Sequence, residues 1–185
     1  VVANYSSSTV SVLVNDGAAI FTKSDFGTDG FPKHIAIANF AKDNNDDERD
    51  DIALACESFS MNLLKNNSSF VGTVFADVGS IGISQPADIL PGDVNNDKDF
   101  DFVILSSSDE ELQVTEGDGI GFPSGFYSAY TSPLPSGSGP VEFGFADLDG
   151  DGNEDAITVN EGDGTISVLL GNAVAIRGDS LNFGS

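Results

Sequence analysis

The chain has no tryptophan, one cysteine, one histidine and one methionine in 185 residues, and only 7 lysines and arginines against 30 aspartates and glutamates. Each scarcity excludes something. With Cys56 alone, no intrachain disulfide can form, so a fold exposed to an oxidising compartment needs another staple. With His34 alone, there is no material for a histidine-rich metal centre, and a Ser-His-Asp triad would have to be built on this one imidazole. The formal charge of −23 disfavours nucleic acid and anionic membrane surfaces as partners. No apolar run approaches the ~20 residues of a membrane span, and helical periodicity is absent. What remains is not an acidic disordered tail. The chain is 39% hydrophobic with 14 phenylalanines. Its apolar residues fall in short bursts between Gly, Ser, Asn and Asp, the pattern of short strands joined by tight turns.

One acidic phrase occurs three times, over residues 43–51, 93–101 and 147–155. Each copy places oxygen-bearing side chains at positions 1, 3, 5 and 9 of a nine-residue loop, and an apolar run follows each. Alternate residues of a tight loop can turn inward together, and the spacing is that of a calcium loop, in which position 7 offers its backbone carbonyl. The expected ligands are Asp43, Asn45, Asp47 and Asp51 with the Arg49 carbonyl; Asp93, Asn95, Asp97 and Asp101 with the Asp99 carbonyl; and Asp147, Asp149, Asp151 and Asp155 with position 7 at Asn153. Gly152 permits the bend in the third loop. Mg²⁺ demands a stricter octahedron and keeps its waters, and Zn²⁺ would want a His or Cys cluster. Up to three Ca²⁺ would leave a net charge of about −17 from the −23 of the sequence. Position 9 begins the following strand, so an ion would tie two adjacent strands together, a structural role.

The flanks of the loops repeat as well. Pro32, Pro86 and Pro140 lie 54 residues apart and each opens an apolar run. A second run follows each loop (Ile52–Cys56, Phe102–Leu105, Ala156–Val159), and a third alternates (Met61–Leu64, Leu112–Val114, Ile166–Leu170). The N-terminus enters the same template partway: Val1–Asn4 matches the second run and Thr9–Val14 the third. This predicts an all-β chain of four-stranded antiparallel units. It divides into a partial unit at 1–31 (strands two to four), then units at 32–85, 86–139 and 140–185 carrying the loops 43–51, 93–101 and 147–155. Inner runs apolar on both faces suit blades packed between neighbouring blades, and a β-sandwich would not need a 54-residue period.

The phrases Ala146–Ile157 and Val1–Gly17 resemble the FG-GAP/VCBS repeats of integrin-α-type β-propellers and their secreted bacterial relatives. The likeness spans nearly the whole chain. Lys98 departs from it where the family prefers Gly, and the first loop departs further, with Glu48 at that place and four extra residues before it. Counting from Pro32 puts Asn39 at position 1 of that loop, whereas counting back from Asp51 puts Asp43 there; we prefer Asp43, with Asn39 the alternative ligand. Such propellers close with about seven blades, so the three and a half expected here imply an open or partial propeller. Further blades would lie in a longer polypeptide, or chains would associate to cover exposed blade faces. The chain also opens in the middle of a strand pattern, as a mature product or a segment of something longer would.

The resemblance implies a secreted or cell-surface, calcium-binding and non-catalytic module with a structural, adhesive or assembly role, and a protein partner or self-association. Two alternatives stand beside it. One is a carbohydrate-binding propeller with a glycan partner; the other is an accessory segment of a secreted polysaccharide- or lipid-degrading enzyme. Nucleic acid and membrane insertion are not expected.

The remaining chemistry-bearing residues read as structure. His34 opens an inner strand. Cys56 ends an apolar run as a small buried hydrophobe. Asp109, Glu110, Glu111 and Glu116 read as a solvated rim. Phe122, Phe126, Tyr127 and Tyr130 suit blade packing more than a sugar platform. Arg177-Gly178-Asp179 spells an adhesion tripeptide in a turn-like context, and Asn4, Asn66 and Asn67 stand in Asn-x-Ser sequons.

Overall fold

The computed structural model describes residues 1–40, 49–68, 75–117, 126–172, 175–176 and 181–183. Apart from one 3-10 turn at Tyr5–Ser7, the regular structure among these residues is antiparallel β. The first sheet has three strands, β1 (Val2–Asn4), β2 (Thr9–Asn15) and β3 (Phe21–Gly27). The second contains β4 (Pro32–Ala38), β5 (Asp51–Cys56), β6 (Ser60–Asn66) and β7 (Phe75–Gly82) in chain order. The third repeats this with β8 (Pro86–Gly92), β9 (Asp101–Ser106), β10 (Glu111–Gly117) and β11 (Phe126–Pro133). In the last, β12 (Pro140–Ala146), β13 (Asp155–Asn160) and β14 (Thr165–Leu169) precede a small hairpin of β15 (Gly171–Asn172) and β16 (Ala175–Ile176), and β17 (Leu181–Phe183) then pairs with β14. These are meandering blades, stacked in sequence as an open array.

The period of two explains the stacking. Every residue of β5 and of β9 is buried, because each of these strands has a sheet on both faces. Ile52, Leu54 and Cys56 pack backward on Val10 and Val12 of the first sheet. The intervening Ala53 and Ala55 pack forward, with Met61 and Leu63, on Ile89, Phe102 and Ile104. Val103 and Leu105 then point forward to Phe143, Ala156 and Leu169. Phe40 and Phe102 meet edge to face at 4.9 Å in the seam between the second and third sheets.

Two local devices recur with the repeat. The register slips by one residue after Pro32, Pro86 and Pro140, a bulge at the mouth of each inner strand where proline has no N–H to give the ladder. The residue before each third strand is left-handed, at Ser8, Phe59, Glu110 and Gly164. In the first three sheets its carbonyl accepts an N–H from the residue leaving the fourth-strand position: Thr28, Ile83 and Leu134. A side-chain network repeats too. Asn4 Nδ2 donates to Thr9 and Ser11, and Asn160 Nδ2 donates to Thr165 and Ser167. The amide of the first sequon is therefore occupied.

Cys56 is fully buried, and burial pushes its thiol up to about 11, as befits a core residue. Glu110 departs from the expected solvated rim: its two carboxylate oxygens accept the N–H groups of Gly137 and Gly139 and brace that turn.

The inner strands also carry titratable residues at one matched place, two after the proline: His34, Asp88 and Glu142. His34 Nδ1 lies 3.1 Å from Asp88 Oδ1 across the seam. The hydrogen bond to Asp88 raises the imidazole pKa; burial and Lys33 oppose this, and Glu142 adds to it. A raised folded-state pKa means that the contribution is complete below the unfolded value of about 6.5 and fades as pH rises through the folded value. The ring resonances of the single histidine should titrate above the ordinary value, and Asp88→Asn should bring the midpoint down. Equal midpoints in the two proteins would dismiss the contact.

Candidate metal centre

The second and third acidic loops leave inner strands β8 and β12 and deliver the chain to second strands β9 and β13. Both are built by backbone N–H groups folding onto loop oxygens. In the third, Asp147 accepts from Gly150 and Gly152, Asp149 from Asp151, and Asp151 from Asn153. In the second, Asp93 accepts from Asp97 and Lys98, Asn95 from Asp97, and Asp97 from Asp99. One oxygen from each of Asp147, Asp149 and Asp151 lies within 4.8 Å of the others, and all three residues are exposed. This all-oxygen donor set suits a hard divalent cation.

Position 9 behaves differently from positions 1, 3 and 5. Asp155 is fully buried, with Oδ2 accepting the Leu148 N–H at 2.7 Å and Oδ1 the Gly171 N–H at 2.6 Å. Asp101 repeats this with Val94 and Gly117, each at 3.0 Å. Asp51 is buried and accepts from Asn66 at 2.8 Å. These carboxylates therefore clamp position 2 of the second and third loops onto the start of the second strand, together with the end of the third strand at Asn66 and Gly117 and, in the last unit, the first residue of the β15–β16 hairpin, Gly171. Burial pushes the Asp101 carboxyl up to about 6, against the pull of the Gly117 and Val94 N–H groups, with Asp97 and Glu116 adding to the rise. Gly171 has no room for a side chain, since a Cβ would lie 2.1 Å from the Glu154 carbonyl oxygen. The clamp was hidden in the sequence by the ligand pattern it shares. Its one signal is that the aspartate stands first in an otherwise apolar strand.

Of the first loop, Asp43, Asn45 and Asp47 lie outside the described residues, as do Arg177-Gly178-Asp179 and the Phe122 of the aromatic stretch. Asn39 is half-buried, and the next residue, Phe40, is buried in the core much as Val94 is at position 2 of the second loop. Arg49 donates to the Ser68 carbonyl.

Two places in the second loop take a left-handed backbone where the third uses glycine. Asn96 has φ 63° against Gly150 at 81°, and Lys98 has φ 75° against Gly152 at 87°. Asparagine tolerates this region, but lysine is strained there by about 1 kcal/mol. Lys98→Gly keeps the N–H to Asp93 and should raise the melting temperature by about 2–4 °C in a calorimetric scan. An unchanged or lower value would mean that the strain is already relieved.

Residues 93–158 match the FG-GAP-like repeat family. That stretch holds both described loops and the seam between their sheets. A crystal structure of a protein from Lactobacillus plantarum is similar at 12% identity with a TM-score of 0.43; the match covers 92% of this chain and 60% of that one, so this chain spans about three fifths of its length. No curated protein matches the chain. The stretch that carries both described acidic loops, residues 93–158, is thus similar to an FG-GAP-like repeat.

Proposed function

We propose that this chain is a calcium-stabilised, non-catalytic repeat module that acts outside the cell in adhesion or assembly. The observation that carries the reading is the trio Asp147, Asp149 and Asp151, converging by side-chain oxygens and braced by backbone N–H groups. Asp93, Asn95 and Asp97 offer the same donor types in the adjacent sheet. Calcium would draw these oxygens together and remove their mutual repulsion, while the buried Asp101 and Asp155 hold each loop to its sheet. The first loop would supply a third site. Isothermal titration of the metal-free protein with Ca²⁺ tests the reading: at least two sites should fill below millimolar concentration, and heat-silent titration with unchanged spectra would end it.

An extracellular location fits the calcium reading, because extracellular modules bind this ion at about 10⁻⁴–10⁻³ M. Assembly fits the two ends of the array. The last sheet leaves Val159 and Ile166 exposed at positions matching the forward-facing Leu105 and Leu112, and the first sheet leaves Val2 and Leu13 exposed on the opposite face. Bare blade faces of this kind suit a further blade or a protein partner. No helix of the described residues is long and apolar enough to cross a membrane.

A carbohydrate-binding reading has one observation in its favour. Tyr5 and Phe31 present an exposed ring pair with centroids 5.2 Å apart, and Glu57 accepts from the Tyr5 hydroxyl. A glycan array probed with the calcium-loaded protein separates this reading from the first.

A further inference from the structure

We propose that Asn96 and Asn153 couple the metal loops of neighbouring sheets, so that filling the third loop prepares the second; this rests on the calcium reading above. Asp151, a position-5 donor of the third loop, is gripped twice by Asn153. Its Oδ1 accepts the Asn153 backbone N–H and its Oδ2 accepts Asn153 Nδ2, each at 2.8 Å. The second contact decides which end of the Asn153 amide is left for other partners. That end is Oδ1, and it accepts Asn96 Nδ2 from the second loop at 3.2 Å. Asn96 stands between Asn95 and Asp97, the position-3 and position-5 donors, and its left-handed backbone sets how those two donors face each other. Asn95 Nδ2 closes over it to Asp97 Oδ2 at 2.9 Å. A continuous relay thus runs from a donor carboxylate in one loop to the hinge between two donors in the next.

The coupling follows from ordering. Without a cation, the carboxylates of a loop repel one another and spread over many arrangements. An ion in the third loop fixes Asp151, and through it Asn153. A fixed Asn153 holds Asn96 and removes part of the ordering cost that an ion in the second loop would otherwise meet. The effect must run equally in both directions. Repulsion between the two bound ions acts against it, but that repulsion is the same in a variant lacking only an amide. The comparison between proteins therefore isolates the relay.

The experiment reads each substitution in the opposite loop. Backbone ¹⁵N NMR during a Ca²⁺ titration follows the second loop through the Lys98 and Asp99 amides and the third through those of Gly150 and Gly152. Asn96→Gly keeps the left-handed backbone and every donor oxygen. Asn153→Ala keeps its backbone carbonyl. We expect Asn153→Ala to weaken the second loop, and Asn96→Gly to weaken the third, each by about three- to tenfold. Unchanged amide shifts in β9 and β13 would show both variants folded. Unaltered affinity in the opposite loop of both folded variants would overturn the coupling while leaving the calcium reading intact. Absence of binding at either loop of the unsubstituted protein would overturn both.

Discussion

Removing divalent ions with a chelator should lower the melting temperature by about 10–20 °C, and millimolar Ca²⁺ should restore it. An ion present at a hundredfold excess over its dissociation constant adds about 2.7 kcal/mol at each site that exists only in the folded state. Two described loops would therefore contribute roughly 5 kcal/mol, a large part of the 5–15 kcal/mol that holds a typical domain together. A chain of this size shifts by about 2–4 °C per kcal/mol. The sign is secured by charge: the sequence carries −23, and the exposed donors Asp147, Asp149 and Asp151 face one another with no lysine or arginine among them. Differential scanning calorimetry in chelator and in Ca²⁺ at equal ionic strength measures the shift. Coincident transitions would refute a structural role for the ion. Mg²⁺ at the same concentration should restore much less, because it gives up its waters reluctantly.

Asp155→Ala should cost about 3–5 kcal/mol whether or not metal is present. The carboxylate is fully buried and its two oxygens satisfy the N–H groups of Leu148 and Gly171 at 2.7 and 2.6 Å. Alanine would strand both donors, and a hydrogen bond to a charged group contributes about 1.5–3 kcal/mol. Urea denaturation in chelator isolates this part of its role. A loss below about 1 kcal/mol there would make Asp155 a metal ligand and little else. Asp149→Ala supplies the contrast. Asp149 is exposed and accepts a single N–H from Asp151 within its own loop, so its loss should matter in Ca²⁺ and be nearly silent in chelator.

Much of this architecture was legible in the chain before any coordinates. The 54-residue spacing of Pro32, Pro86 and Pro140 located the inner strands, because a proline suits the mouth of a strand and little else in a ladder. The inner run with Ile35 and Ile37 against Ala36 and Ala38 was expected to be covered on both faces, yet Ile37 is exposed; the strands with a sheet on each face are the second ones, Asp51–Cys56 and Asp101–Ser106. Other features were not legible, for physical reasons. An aspartate at position 9 reads the same whether its oxygens meet a cation or two backbone N–H groups, and only the depth of Asp101 and Asp155 reveals the clamp. Glu110 looked like surface because its partners, Gly137 and Gly139, are distant in sequence and offer only backbone. The contact of His34 with Asp88 was equally hidden, since it depends on which inner strands become neighbours. The β15–β16 hairpin left no periodic trace, being two residues a side.

The alternation within β5 gives consecutive residues separate addresses. Leu54 belongs to the junction with the first sheet and Ala55 to the junction with the third, although one peptide bond joins them. Sequence adjacency is thus a poor guide to energetic coupling in this molecule. Two substitutions side by side would burden different joints and add independently, while two that are some fifty residues apart, such as Ala55 and Ile104, share one joint and interfere. An array organised in this way can fray from either end one joint at a time, so its resistance to unfolding belongs to the individual joints more than to the chain as a whole.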